Sequence, residues 1–282
     1  MGRAKDIIVK IVPAAIANDF VKKHHYSGKS CTTSIVHFGA FLDNKLHGIM
    51  SFGNPIDKRK VLPLVKNTGW NEMLELNRMA FDDYLPKNSE SRCFSIAIKL
   101  LKKNAAHIKW ILSFSDGTQC GDGTIYRASG FQLTAIRKST SDLWDLPLHL
   151  RQYNDGKNVA HRMTCQGKSC RLGAWVLSKY GTNNVPLEKL QKDNGGKLMD
   201  GFQLRYIYLI DKSCKITVPI LPFEQIDKLG AGMYKGKKVS LQDRKKALEV
   251  HVVEHLATSR EEGGSSPTPA LQNSNKTETN GI

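Results

Sequence analysis

The sequence predicts a mixed α/β (α+β) fold in which helices flank one central β-sheet. Residues 74–131 contain a strand, a helix and a second strand in succession, an order typical of parallel strands joined by a helix. Residues 7–52 contain a strand, a helix and two further strands joined by a polar turn. The chain has 282 residues, 40% of them hydrophobic, which is enough to bury one substantial core.

The elements of the first half follow one another closely. Residues 7–12 form a short strand, residues 14–23 a short helix, and residues 36–42 and 46–52 two strands rich in β-branched and aromatic residues. After residue 52, Gly, Asn and Pro break the strand pattern. We expect a basic loop there at the edge of a nucleic-acid groove, with DNA contacts from Lys58, Arg59 and Lys60.

An amphipathic helix of about four turns follows residue 88. Its apolar residues recur at the spacing of one helical face: Cys93, Ile96, Ala97, Leu100 and Leu101. Polar residues mark its start and could cap the free N–H groups of the first turn. Alternatively, these N–H groups bind a phosphate or pyrophosphate together with Lys87, Asn88, Ser89, Ser91 and Arg92.

Two charged residues are candidates for catalysis near the strand ends. Asp116 follows the strand at 108–115 and is expected to project into a ligand crevice, as a base or orienting group, or else to begin a turn. On the preceding strand, Arg78 is expected to share a face with Leu76 and Ala80. An arginine so placed needs an anionic partner, for which Asp116, Glu75 or a cofactor phosphate could serve.

Three polar aromatic residues follow the first helix: His24, His25 and Tyr26. They could contact a base, ligate a metal or shuttle a proton, or they form an ordinary surface loop.

Charge and cysteine usage limit the class of protein. The net charge of +16 favours a polyanionic partner such as DNA or RNA. No run of about 18 apolar residues and no signal peptide are found, so a membrane role is not expected.

The six cysteines are scattered, which indicates a reducing compartment, the cytoplasm. Cys165 and Cys170 form the one close pair, without the second pair that a zinc site needs, and Cys120 is more simply an inert thiol than a nucleophile.

The chain beyond residue 150 is basic and polar. Its first part is a nucleic-acid-facing extension, a mobile lid or a solvated connection, with candidate DNA contacts at Arg151, Arg162, Lys168 and Arg171. Residues 201–210 and 216–221 predict a hairpin. We therefore predict a catalytic domain at 1–150, a basic extension with a β-hairpin at 151–257 and a disordered tail at 258–282.

Several segments resemble known families. Residues 126–131 (Tyr-Arg-Ala-Ser-Gly-Phe) resemble the helix-to-strand segment of GNAT acetyltransferases, in which a Tyr often lies close to the sulfur of coenzyme A. Residues 75–80 (Glu-Leu-Asn-Arg-Met-Ala), 88–91 (Asn-Ser-Glu-Ser) and 113–117 (Ser-Phe-Ser-Asp-Gly) resemble the phage Mom proteins, GNAT-like enzymes that modify adenine in viral DNA. The helix start lacks the spaced glycines of typical GNAT enzymes, which weakens the case for ordinary coenzyme A binding.

The resemblance to Mom proteins implies a GNAT-like fold and an enzyme that modifies N6 of adenine in phage DNA inside the bacterial host cell. The implied modification is a methylcarbamoyl, acetamido-type addition that protects the DNA from restriction nucleases. Acetyl coenzyme A is the implied donor, and a metal such as iron, bound through His residues, is a further candidate cofactor. The catalytic candidates are Asp116, Ser91, Arg78, Tyr126, His25 and Tyr26.

Two alternative functions remain open from the sequence. One is an ordinary GNAT N-acetyltransferase that acts on a protein or a small amine. The other is a noncatalytic DNA-binding protein on a GNAT scaffold. The missing glycines and the basic charge disfavour the first.

Overall fold

The computed structural model describes residues 3–117, 123–168 and 170–231 and the short strands Met233–Tyr234 and Lys237–Lys238. The first half contains β1 (Ile8–Ile11), α1 (Ala14–His24), β2 (Ser34–Leu42), β3 (Lys45–Gly53), α2 (Lys58–Val61), β4 (Val65–Lys66), β5 (Met73–Phe81), α3 (Ser89–Asn104) and β6 (Trp110–Asp116). The second half contains α4 (Thr124–Ala128), β7 (Gln132–Asp145), α5 (Leu148–Arg151), β8 (Val159–His161), α6 (Arg162–Cys165), α7 (Arg171–Tyr180), α8 (Leu187–Asn194), β9 (Lys197–Leu209), β10 (Lys215–Ile216), α9 (Glu224–Lys228) and the hairpin strands β11 (Met233–Tyr234) and β12 (Lys237–Lys238).

Within these described residues, eight strands form one sheet in the order β1-β2-β3-β5-β6-β9-β7-β8. β5 and β6 run parallel, and the other neighbouring strands are antiparallel. Helix α3 connects the parallel pair, as the order of the predicted elements requires. The predicted α/β fold, a mixed central sheet flanked by helices, is confirmed.

Both sides of the sheet are covered. On the side that we call the α3 side, Phe94 and Leu101 of α3 pack with Leu74 and Leu76 of β5 in the largest core cluster. On the opposite side, which we call the α1 side, two smaller clusters form. One lies beneath α1, with Val21 and Ala80, and the other lies beneath β4, with Met73 and Trp110.

The parallel pair is joined over a short length. Pairing runs from Met73 opposite Trp110 to Glu75 opposite Leu112, although both strands continue to Phe81 and Asp116. One residue farther, Ser113 Oγ still donates a hydrogen bond to the Leu76 carbonyl at 3.2 Å. The strands therefore separate towards their carboxyl ends.

Strand β9 joins the second half of the chain to the first, because it lies between β6 and β7. The segments that the sequence analysis separates at residue 150 thus share one sheet. Residues of α5, α7 and α8 also build a core of their own around Trp144. The predicted tail at 258–282 lies outside the described residues.

The hairpin predicted across residues 211–215 does not form. Strand β10 pairs with β4 instead, with Lys215 opposite Lys66 and Ile216 opposite Val65. β9 already has β6 and β7 on its two sides, so it offers no free edge to a returning strand. Among the described helices, none has both the length and the apolar character that crossing a bilayer demands.

Candidate active site

A bulge in β5 decides which side of the sheet Arg78 faces. Ser51 of β3 lies opposite Arg78, whereas the next residue of β3 lies opposite Leu76, so Asn77 is an extra residue in β5. Leu76 packs in the α3-side core, and Ala80 packs on the α1 side. The prediction that Arg78 shares a face with both is wrong, because the bulge reverses the alternation between them.

Arg78 continues a polar row across three neighbouring strands. His37 of β2 lies opposite Ser51 of β3, and Ser51 lies opposite Arg78. Buried His37 Nδ1 is 2.8 Å from Ser51 Oγ, and burial lowers the pKa of His37. The Arg78 guanidinium donates to the carbonyls of Lys29 at 2.9 Å and Asn77 at 2.6 Å. Hydrogen bonds therefore join His37 to Ser51 and anchor Arg78 to the backbone.

Glu75 lies on the same side of the sheet, opposite Gly53. Burial raises the pKa of its carboxyl, while a hydrogen bond with Asn77 and the positive charge of Arg78 act against this increase. Asn77 Oδ1 in turn accepts from Ser34 Oγ at 3.1 Å. Of the three anionic partners expected for Arg78, Glu75 is thus near enough to interact with its charge. A carboxyl with a raised pKa can accept or donate a proton closer to neutral pH.

His25 is the C-cap residue of α1 and lies near enough to Arg78 to interact with its charge. Its Nδ1 accepts from the Ser27 backbone N–H at 3.2 Å, which leaves the proton of the neutral ring on Nε2. Burial is the largest of the effects that lower the pKa of His25 to about 4, and the positive charges of Arg78 and Lys157 contribute to the same decrease. The ring of Tyr26 lies 4.3 Å from that of His25 and is 45% exposed. We call His25, His37, Ser51, Glu75 and Arg78 the polar cluster.

The basic segment after residue 150 contacts the loop that follows α1. Lys29 Nζ donates to Thr164 Oγ1 at 3.4 Å. Lys157 Nζ lies against Gly28, where a Cβ built on the glycine would be 3.0 Å from this Nζ. Arg162 on α6, Lys168 in the loop after α6 and Arg171 at the start of α7 are exposed. Arg151 instead donates to the Leu146 carbonyl at 3.1 Å. The segment therefore borders the polar cluster on one side with positive charge.

Asp116 and Tyr126 lie on different sides of the sheet. Trp110, Leu112 and Phe114 of β6 pack on the α1 side, and the two-residue period places Asp116 on that side too. Tyr126 stacks on Tyr206 at 4.8 Å within the α3-side core. Asp116 is thus on the side of the polar cluster, and Tyr126 is not.

The first turn of α3 lies at the carboxyl end of β5, on the α3 side. Asn88 adopts a left-handed conformation with φ of 68° and does not cap the helix with its side chain. Ser91 Oγ donates to the Asn88 carbonyl at 3.2 Å, and Ser89 Oγ donates to the Pro86 carbonyl. These hydroxyls are donors to carbonyls, so they are not the caps that the sequence allowed.

The two basic residues that flank this turn differ. Lys87 is exposed, whereas Arg92 donates to the Lys5 carbonyl at 3.3 Å. A phosphate at this turn would therefore meet backbone N–H groups and Lys87 before Arg92.

The candidate DNA contacts after β3 also differ. Lys58 is buried and donates to Asn54 Oδ1 at 2.9 Å, and its Nζ lies 5.3 Å from the ring centre of Trp70. Lys60 forms an ion pair with Asp57 at 3.0 Å, and Arg59 is exposed. Lys58 therefore acts as a structural brace, and Arg59 and Lys60 are the residues exposed to a ligand.

The described residues do not identify a metal centre, since they contain no group of three or more His, Cys, Asp or Glu that could hold an ion. Buried Cys165 has a pKa raised to about 12, and Cys170 Sγ donates to the Thr164 carbonyl at 2.8 Å, so both are packed thiols. Cys120 lies outside the described residues. Residue types alone could not have revealed Ser51 and His37 as members of the cluster, because strand register brings them to Arg78. Glu75, in contrast, could be recognised from the sequence as a possible partner of Arg78.

Comparisons with known proteins agree on one family. Residues 6–225 match the model of the Mom protein family. One relative, the methylcarbamoylase Mom of Escherichia phage Mu, is 33% identical over 141 residues, which is 49% of this chain and 57% of that protein. The match thus spans little more than half the length of this relative.

Solved structures of acetyltransferases also match. A GNAT family acetyltransferase from Elizabethkingia anophelis with acetyl-CoA bound is 14% identical, with a TM-score of 0.35 over 71% of this chain and 96% of its own. The ribosomal-protein-S18-alanine N-acetyltransferase from Escherichia coli is 9% identical, with a TM-score of 0.37 over 73% of this chain and 94% of its own.

Proposed function

This chain belongs to the Mom protein family, whose model matches most of its length, and on that premise we propose that it is a phage enzyme that modifies adenine at N6 in double-stranded DNA. The group added is of the methylcarbamoyl, acetamido type, as the name of the phage Mu relative suggests. The net charge of +16 supports a nucleic-acid substrate, because lysine and arginine gain affinity for DNA by releasing its counterions.

The observation that carries the proposal is the placement of the polar cluster beside the gap between β5 and β6. Glu75, Arg78 and Asp116 all belong to these two strands and lie on the α1 side, and the strands separate beyond their three paired residues. The first turn of α3 lies at the same end on the α3 side. A donor whose phosphates bind at that turn could pass its reactive end between the strands towards an acceptor at the cluster.

The donor in this proposal is an acyl coenzyme A, with acetyl coenzyme A as the first choice. The turn offers backbone N–H groups without a side-chain cap, and Lys87 is exposed beside them. Acyl transfer from acetyl coenzyme A by itself would give N-acetyladenine. An acetamido-type product, in which N6 is bonded to the methyl carbon, therefore needs three things besides acetyl coenzyme A: an oxidant that takes two electrons as the C–H bond is replaced by the C–N bond, a base that takes the proton, and a second source of nitrogen that displaces coenzyme A from the carbonyl.

The exocyclic amine of adenine needs help because its lone pair is delocalised into the ring. A carboxylate that accepts the N6 proton as the new bond forms would supply this help, and Asp116 and Glu75 are the candidates. Arg78, fixed by two carbonyl partners, would stabilise negative charge that develops next to the amine. His25, held neutral, would donate a hydrogen bond from Nε2 to the base or the donor.

Mass spectrometry of nucleosides from the DNA of cells that express the chain tests this function. We expect a modified deoxyadenosine in cells with the wild type, and a loss of about 100-fold or more with Asp116→Asn, which is nearly isosteric and should leave the fold intact. Unmodified adenine in the presence of folded wild-type protein would refute the proposal. Acetylated protein or small amine in place of modified DNA would identify an ordinary acetyltransferase, and tight DNA binding alone would identify a noncatalytic protein.

A further inference from the structure

The loop between β3 and α2 exposes an isoleucine almost completely. Ile56 is 95% exposed, while Pro55 before it is buried. Arg59 and Lys60, on the first turn of α2, are exposed close by along the chain. A large apolar side chain with basic residues beside it matches the chemistry of duplex DNA, which has an anionic backbone and an apolar stack of bases.

The loop is held in one conformation by side chains at both of its ends. Lys58 Nζ donates to Asn54 Oδ1 at 2.9 Å while it lies over the ring of Trp70. Asp57 Oδ1 accepts from the Lys60 backbone N–H at 3.3 Å, and Asp57 Oδ2 pairs with Lys60 Nζ at 3.0 Å. Ile56 is therefore presented on a braced loop, so its insertion into a partner would need little ordering of the chain.

The loop starts at the polar cluster. It begins after Gly53, which lies opposite Glu75, and a Cβ on Gly53 would be 2.7 Å from Asn77 Oδ1. Ile56 is three residues farther, which is at most about 11 Å of extended chain. Since each base pair adds about 3.4 Å along the duplex, the exposed apolar side chain is thus within about three base-pair steps of the point where the loop leaves the cluster.

An enzyme that acts on N6 must first take adenine out of the base stack, which costs the stacking and pairing of that base. In other DNA-bending proteins, apolar side chains enter between base steps and partially unstack them. We propose that Ile56 is such a wedge and occupies the space that the extruded adenine leaves in the duplex. This inference rests on the proposed function, because it takes duplex DNA as the substrate.

Fluorescence of 2-aminopurine, placed opposite thymine in a duplex, measures extrusion without any donor or reaction. At saturating protein, we expect the wild type to raise the fluorescence and Ile56→Ala to lose most of that increase. Ile56→Phe, which keeps a large apolar side chain, should retain it. The matched control is Ile8→Ala, on edge strand β1, where Ile8 is also exposed, at 60%. No increase with the wild type, or equal increases with wild type and Ile56→Ala, would overturn the proposal.

Modification assays separate this inference from the function on which it rests. Ile56→Ala should modify an adenine opposite thymine about tenfold less than the wild type, and an adenine opposite an abasic site about equally, since that base is already unpaired. An equal loss on both substrates would show that Ile56 is not a wedge. If the wild type modifies neither substrate, the proposed function fails, while the fluorescence result still decides whether Ile56 extrudes the base.

Discussion

At the scale of single residues, Glu75 and His25 show how surroundings change ordinary side chains. Burial raises the pKa of Glu75 against the opposing effects of Asn77 and Arg78. Burial lowers the pKa of His25 to about 4, and Arg78 contributes to this decrease. One arginine therefore affects an acid and a base in the same cluster. Such perturbed groups are typical of sites that transfer protons.

The raised pKa of Glu75 leads to a prediction for Glu75→Gln. A carboxyl whose folded pKa is above its unfolded value favours folding at low pH, and this contribution is lost as the pH rises through the folded pKa. We therefore expect Glu75→Gln to melt at a higher temperature than the wild type at pH 8, with the difference disappearing near pH 4. Adenine modification should fall by about 100-fold or more.

Thermal melts at the two pH values, with nucleoside mass spectrometry at pH 8, would check this prediction. Ser34→Ala is a useful control, because it removes the hydrogen bond to Asn77 without changing any charge. A lower melting temperature at pH 8 together with full activity would show that Glu75 has only a structural role.

At the scale of elements, close backbone approaches and helix ends position the site. Gly123 begins α4 with φ of 68°, and a Cβ there would lie 2.8 Å from Tyr206 Cζ. The absent side chain lets α4 approach β9, which brings Tyr126 onto Tyr206. On α3, the uncapped first turn lies at the carboxyl end of β5. Each feature depends on one backbone position, Gly123 for α4 and Asn88 for α3.

We predict that Gly123→Ala destabilises the protein more than Gly181→Ala. Both glycines have positive φ, so both alanines carry the left-handed backbone strain of about 1–2 kcal/mol. A Cβ at Gly181 has nothing within 4 Å, whereas at Gly123 it collides with the ring of Tyr206. Urea denaturation of the two variants measures the difference, and equal losses of stability would contradict the packing described here.

For α3, we predict that acetyl coenzyme A raises the melting temperature of the wild type. A ligand at 100 times its Kd adds about 2.7 kcal/mol of stability. Lys87→Ala, at the start of the helix, should reduce the shift, and Lys102→Ala, exposed in the last turn, should not. Equal shifts in both variants would place the phosphates elsewhere, and no shift in the wild type would argue against this donor.

At the scale of the whole molecule, positive charge is spread over segments far apart in sequence. Arg59 and Lys60 follow β3, and the exposed residues Arg162, Lys168 and Arg171 lie on α6, in the loop after it and at the start of α7. The contact of Lys29 with Thr164 connects the second group to the loop after α1. DNA bound at the polar cluster could therefore meet both groups.

We predict a steep loss of DNA affinity with salt, with a slope of about 0.9 on a log scale for each phosphate contact. Arg59→Ala with Lys60→Ala should weaken binding and lower this slope, and so should alanines at Arg162, Lys168 and Arg171. Alanines at Lys102 and Lys103 of α3 remove as much charge as the first pair and serve as its control. If all three sets behave alike, the groove does not lie beside the cluster.

Much of this architecture was predictable from local patterns. The spacing of Cys93, Ala97 and Leu101 predicts α3, and the apolar runs predict β2, β3, β5 and β6. The motifs at 75–80, 88–91 and 113–117 also indicated the family that the comparisons show. Periods of 3.6 and 2 residues are properties of a short stretch of chain, so they can be recognised without its neighbours.

Only the tertiary structure decided which side chains meet. The extra residue Asn77 turned Arg78 to the α1 side, register brought Ser51 and His37 beside it, and the insertion of β9 between β6 and β7 prevented the predicted hairpin. Lys58 is buried and braces its loop because it donates to Asn54 and lies over the ring of Trp70. The physical reason is that strand pairing, bulges and burial depend on contacts between distant segments, and the energies of these contacts appear only when the segments pack together.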